Sequence, residues 1–355
     1  MVQTGNRILG KMNMLILENE VLEKYNTILD NKKGKYVYVS GEYNDNVEIT
    51  VIITTYLSIF EKLRYTIESV IHQNNTKINI IITDDGSDSF DVEAILILFK
   101  ENNFSNYKII THEKNQGTVS NCYDGIIETN AKYVKFIGPG DIIYGTDTIR
   151  KWIDTIEKSE KKWSFCEAVF YDAVTKKVVN VPAHPQKIDC YLSGNDRECM
   201  WHYLALDDYP IGATILFVRD AYLPFISMMV GKVKYTEDNI FRLLMYNDIL
   251  PLYYNEIGML YEYGSGISTV REKKWNERLQ IDKQAIDAQI VMCDVTDKFH
   301  EDISKVIGRK YETNRLLRLI YKLFEKGRII KALKYRICPR LTPKLKEVSF
   351  FEKDY

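Results

Sequence analysis

Residues 47–89 read VEITVIITTYLSIFEKLRYTIESVIHQNNTKINIIITDDGSDS. The first ten form a nearly continuous β-branched run, the signature of a strand buried on both faces of a sheet. "IFEKLRYTIESVIHQ" then carries apolar residues at helical spacing, and "KINIIITDDGSDS" is a second buried strand that ends in a turn. The stretch is therefore a βαβ unit. The pattern continues with a helix at "FDVEAILILFKEN", a strand at "YKIITHE", a helix over about 118–129 and a strand at "KYVKFIG". Such alternation predicts an α/β fold, a mostly parallel, Rossmann-like sheet with helices on both faces and ligands beyond the carboxyl ends of its strands.

Outside this region the signals are weaker. A helix is expected at "TDTIRKWIDTIEKS", strands at "EAVFYDA" and "KKVVNV", then a long polar stretch, a helix at "EDNIFRLLMYND" and a strand at "ILPLYYNE". "YGSGIST" reads equally as a lid or a hairpin loop. Upstream, "MLILENEVLEKYNTILD" has helical spacing and "KYVYVS" reads as a short strand; beyond Arg271 the chain reads as helical to about Tyr335.

With 355 residues and 45% apolar content, the chain has material for a sizeable core. It contains no uncharged apolar run of about 18 residues, and "MNMLIL" is too short for a leader, so a cytoplasmic chain is expected. Six cysteines are scattered without a C-x-x-C pair, which argues against zinc and against a disulfide framework. Net charge is −1, but from Arg309 onward about 14 Lys and Arg stand against about 5 acids. The acidic remainder argues against a nucleic-acid partner.

Three polar clusters follow strand ends: Thr54-Thr55-Tyr56, Asp84-Asp85-Gly86-Ser87 and Gly138-Pro139-Gly140-Asp141. Singly, each is also what a strand terminus or tight turn looks like. In this order and spacing, with "NQGT" between the second and third, they resemble the family 2 glycosyltransferases of the GT-A fold over roughly residues 48–270. The resemblance implies that Thr54, Tyr56, Asp84, Asp85 and Gly117 bind the nucleotide. A carboxylate accepts the imide N–H of uracil while an aromatic ring packs on the base. On that reading, loss of Asp85 weakens nucleotide binding far more than it weakens the fold.

The family usually writes Asp-x-Asp-Asp where this chain has Gly138, Pro139, Gly140 and Asp141. Asp141 is then the remaining acid for Mn²⁺ or Mg²⁺ arriving with the nucleotide, whose diphosphate oxygens would supply further ligands. "YTEDNIFRLL" resembles the family's Glu-Asp motif, making Glu237 and Asp238 the catalytic acids and Asp238 the base of an inverting transfer. Both acids equally suit a helix start.

Together these features imply a single-sugar transfer from a nucleoside diphosphate sugar, UDP-linked first, to a glycan or lipid-linked acceptor in cell-surface polysaccharide or glycoconjugate synthesis. The chain lacks the Gln-x-x-Arg-Trp motif and membrane spans of processive synthases. The missing acids keep a second reading open, a weak or inactive nucleotide-sugar-binding partner subunit. The chain divides into an N-terminal extension (1–47), a nucleotide-binding half (48–145), an acceptor half (146–270) containing His184 and His202, and a basic helical region (271–355). From Asn314 to Tyr335, Leu316, Leu319, Ile320, Leu323, Ile330 and Leu333 approximate one stripe among basic residues. Such a helix lies on an anionic membrane at its inner face, or packs on the catalytic domain or a second subunit of an oligomer.

Overall fold

A β-branched run without a polar face needs apolar cover on both sides, and Ile49–Thr55 receives it. Ile49, Val51 and Ile53 point into one buried cluster and Ile52 into another, following the two-residue period of a strand. The structure, a computed structural model, describes residues 20–32, 34–264, 273–295, 297–324, 333–335 and 337–345. Its strands are β1 (Thr27–Lys32), β2 (Lys35–Ser40), β3 (Ile49–Thr55), β4 (Ile78–Asp84), β5 (Tyr107–His112), β6 (Tyr133–Ile137), β7 (Ile142–Ile143), β8 (Trp163–Asp172), β9 (Val178–Val179), β10 (Ile215–Val218) and β11 (Leu252–Tyr263). They form one sheet in the order β1-β2-β5-β4-β3-β6-β10-β8-β11-β7, with β9 beside β8. The β5-β4-β3-β6 block is parallel, as is the β8/β11 pair, while β10 runs antiparallel between β6 and β8.

Helices α1 (Phe60–Ile71), α2 (Val92–Glu101) and α4 (Thr148–Ser159) cover one face. Covering the other are α3 (Thr118–Ile127), α5 (Arg219–Met229), α6 (Phe241–Tyr246), α7 (Lys273–Met292) and α8 (Lys298–Lys310); α9 (Arg315–Phe324) comes after them. Among the described residues, no helix is long and apolar enough to cross a membrane. Cys122, Cys166, Cys190 and Cys199 are buried free thiols.

Three expectations change. The helical pattern expected to run to Asp30 stops at a turn where Asn26 has φ +49°, and Thr27–Lys32 is instead a strand zipped to β2, itself added to the edge of β5. Tertiary pairing overrides local periodicity there. β10 and α5 carry no clear sequence signal, since β10 is four residues long and α5 contains Pro224. Finally, α7 and α8 place Ile286, Ile290, Ile303 and Ile307 in the main core, so these helices of the stretch after Arg271 share the core of the sheet. Most of "YGSGIST" and of the stretch between Phe324 and Leu333 lies outside the described residues.

Candidate active site

A cleft of about 920 Å³ opens beyond the carboxyl ends of β3 and β6. Thr54, Thr118, Gly138, Asp141, Glu237 and Asp238 all line it, so two of the three strand-end clusters meet the Glu-Asp pair in one place, while residues 84–87 are not in the lining. Phe170, Tyr209, Tyr261 and Tyr263 form an aromatic wall, with Phe170 and Tyr261 ring centroids 4.9 Å apart. Tyr56 is half-exposed at the end of β3.

Asp84, the last residue of β4, and Asp85 after it are nearly inaccessible. The Asp84 carboxylate accepts the Ser87 N–H at 2.7 Å and the Ser87 hydroxyl at 2.6 Å; that hydroxyl oxygen accepts the Leu57 N–H at 2.7 Å. Asp85 accepts the N–H groups of Gln116 (2.7 Å) and Gly117 (2.8 Å). Burial raises the pKa of both acids against these bonds. The two acids therefore shape the turn and the loop after it. Gly117 has φ +98°, and a Cβ there would sit 2.6 Å from the Lys234 carbonyl oxygen, so only glycine brings this loop against residue 234.

The "GPGD" loop is pinned by Thr66, whose hydroxyl donates to the Asp141 carbonyl (2.8 Å) and accepts the Gly140 N–H (3.0 Å). One oxygen of the Asp141 side chain accepts the Glu262 N–H at 3.1 Å. Burial pushes this carboxyl up to about 7. Gly140 has φ +100°, and a Cβ there would lie 3.0 Å from the Glu262 carboxyl carbon. Glu262, ion-paired with Lys62, thus fills the space where the family's second acid would project. Among the described residues, no group of three His, Cys, Asp or Glu side chains is arranged to hold a metal. A Mg²⁺ or Mn²⁺ on a diphosphate takes one or two ionised carboxylates; Asp141 is buried, raised to about 7 and already accepts the Glu262 N–H, and Glu262 is paired with Lys62 and Lys176, so this loop does not fit one and no step below is routed through a metal.

Glu237 and Asp238 open the 3₁₀ turn Asp238–Ile240 ahead of α6. The Tyr222 hydroxyl donates to the Glu237 carbonyl at 2.7 Å. A Cβ on Gly212 would be 3.0 Å from that of Asp238, so glycine lets the 212 backbone close over the acid. Burial, then the neighbouring Asp238 charge, pushes Glu237 up to about 8, and burial raises Asp238. Two like charges this close resist ionising together, so the pair as a unit holds a proton well above the usual carboxylate range.

The sequence reading missed what holds this pair. Fully buried Arg242 in α6 binds Asp287 of α7 (2.6 Å) and Asp207 (3.1 Å), and Asp207 also pairs with Lys283 and Lys310. Asp282 of α7 accepts the N–H groups of Lys234 and Tyr235. The available signal was an acid in line with Ile286 and Ile290 on the buried stripe of α7. Elsewhere on the cleft rim, Arg340 donates to the Pro185 carbonyl and the Glu167 carboxylate, and Leu341 bridges to Pro182, tying this segment to a loop whose Val181 and His184 line the cleft. His202 is buried beside Asp208 and Tyr335, outside the cleft lining.

Residues 50–204 match the family described as glycosyl transferase family 2. Among solved structures, the chain is similar to residues 1–349 of TarS from S. aureus, at 15% identity over 81% of this chain and 79% of that one, TM-score 0.50. It is also similar to the mannosyltransferase PcManGT from Pyrobaculum calidifontis, solved with GDP-Man and Mn²⁺, at 9% identity over 92% and 83%, TM-score 0.54. At such identities the likeness speaks for the fold. No curated protein matches.

Proposed function

Residues 50–204 belong to glycosyl transferase family 2, so the chain is a glycosyltransferase of GT-A fold, and we propose that it moves one sugar from a nucleoside diphosphate sugar to an acceptor hydroxyl with inversion. The carrying observation is that the Glu237-Asp238 pair faces the same cleft as Thr54 and Thr118 at the nucleotide end. Asp238, in its ionised form, takes the acceptor proton as the oxygen attacks the anomeric carbon from the face opposite the departing diphosphate. A positioned base of this kind contributes about 10²–10⁴-fold. UDP is the first nucleotide to test. The aromatic wall supports a glycan acceptor, because flat rings offer an apolar face to a sugar. Leu316, Leu317 and Leu319 of α9 are exposed within a basic stretch, which supports contact with an anionic inner membrane face and a lipid-linked acceptor.

The test is a panel of nucleotide sugars with the anomeric configuration of the product read by NMR, on wild type and Asp238→Asn. Donor binding should persist in the variant while transfer falls by about 10²–10⁴-fold. Transfer at the wild-type rate would remove Asp238 as the base.

A further inference from the structure

We infer that Asp282 is the positioning residue that holds the catalytic pair in register with the nucleotide loop; the inference rests on Asp238 being the base. Asp282 is 5% exposed on α7. One of its carboxylate oxygens accepts the Lys234 N–H at 3.1 Å and the other accepts the Tyr235 N–H at 2.6 Å. Two consecutive backbone donors on one carboxylate fix both the place and the tilt of that segment. Thr236 comes next, then Glu237 and Asp238.

The other side of residue 234 leads to the donor site. The Lys234 carbonyl accepts the Val119 N–H at 3.1 Å from the first turn of α3. Its backbone presses on Gly117, whose own N–H is held by Asp85 at 2.8 Å. A continuous path therefore runs Asp85, Gly117, Lys234, Asp282, with the catalytic pair three and four residues beyond Lys234. Only a carboxylate accepts both bonds: an amide at 282 would turn an NH₂ group toward one of the N–H donors. The Asp282 charge also helps to hold Glu237 protonated. Other titratable groups around the pair are Cys122 of α3, Tyr222 of α5, Tyr203 and Tyr209, and Lys283 of α7 lines the same cleft.

The experiment compares wild type, Asp282→Asn and Asp238→Asn for kcat, donor affinity and the Glu237 titration, read by carboxyl ¹³C NMR. For Asp282→Asn we expect kcat to fall about 10- to 100-fold, equivalent to a 1.4–2.7 kcal/mol higher barrier at 1.36 kcal/mol per tenfold. Donor affinity should stay within about threefold, and Glu237 should titrate below its wild-type value near 8. A residue that only supported the fold would lower the melting temperature and leave kcat per folded molecule unchanged. Should Asp282→Asn fail to accumulate as folded protein, Asp282→Ser, which leaves room for a water on the two donors, is read in the same way. Wild-type kcat in either variant, beside an inactive Asp238→Asn, overturns this inference alone; an active Asp238→Asn overturns the choice of base and this inference with it.

Discussion

Consider Asp85→Ala. Its carboxylate accepts the Gln116 and Gly117 N–H groups at 2.7 and 2.8 Å, and the residue is 3% exposed. Truncation strands both donors beneath the loop. A hydrogen bond to a charged group contributes about 1.5–3 kcal/mol. Burial already disfavours the ionised form here, so the lower figure applies to each bond and the loss is about 3 kcal/mol. At roughly 2 °C per kcal/mol for a large domain, the melting temperature should drop by about 6 °C. UDP affinity should fall as well, because the released loop frames the nucleotide end. Asp85→Asn, which keeps one acceptor oxygen, should lie between. Thermal melts with and without UDP, paired with calorimetry, separate the two effects. The sequence alone led to the opposite expectation, lost affinity with little lost stability. An unchanged melting temperature beside a tenfold weaker UDP would restore that expectation and refute the loop-holding role.

Four further outcomes are expected. UDP should bind within about twofold in Mn²⁺ and in chelator, whereas Gly138→Asp, whose new Cβ would have only an Asp141 oxygen near it at 3.8 Å, should make binding Mn²⁺-dependent; strong Mn²⁺ enhancement in the wild type would mean that Asp141 suffices. Glu237 and Asp141 have pKa values raised to about 8 and 7. The unfolded chain loses these protons first, so the stability they contribute at low pH is lost as pH rises from the usual carboxylate range through about 8. Denaturant titrations across that range should show the decline, and Glu237→Gln should flatten its upper part; an unchanged slope would mean Glu237 titrates normally. Transfer should rise with pH through a point above the usual carboxylate range as Asp238 ionises. Deleting the chain from Arg315 onward, α9 included, should reduce binding to anionic vesicles in a salt-dependent way, each basic residue contributing on the order of 1 kcal/mol; equal partitioning with and without it would leave α9 a packing role.

The parallel half of the sheet was legible because its strands are buried on both faces and so leave uninterrupted β-branched text, as in "VEITVIITTY" and "KINIIITDD". β10 was not, because four residues give no period to count. Thr54, Asp141, Glu237 and Asp238 were legible as residues of one cleft, since strand ends and helix starts are where an α/β sheet presents polar groups. Asp282, Asp287 and Arg242 were not: their meaning comes from pairing across 45 or more residues, and in the text they look like ordinary charges on helix faces. The loop contacts of Asp84 and Asp85 were hidden for a related reason, because the N–H and O–H groups that their oxygens accept come from residues whose approach only the fold sets.

Charge around the "GPGD" loop sets the last prediction. The family's Asp-x-Asp-Asp brings three negative charges, which a divalent ion must overcome before a diphosphate approaches. Here Asp141 and Glu262 stand against Lys62 and Lys176, both within 4 Å of Glu262, and Lys135, buried close enough to act on Asp141. Three lysines against two acids leave a surplus of positive charge, larger still while Asp141 keeps its proton. These lysines stand behind the Gly138 and Asp141 lining of the cleft rather than in it, so their charge would reach a diphosphate through space, with the sign that a metal would otherwise supply. Lys62→Met removes one charge and should weaken UDP by about tenfold, since a unit charge at about 8 Å acts with on the order of 1–2 kcal/mol at an effective dielectric of roughly 20. Lys62→Met with Glu262→Gln restores the surplus and should recover most of that affinity at low salt, although it also removes the ion pair. If single and double variants bind UDP equally weakly, the pair matters through geometry, and charge on this wall is not what meets the diphosphate.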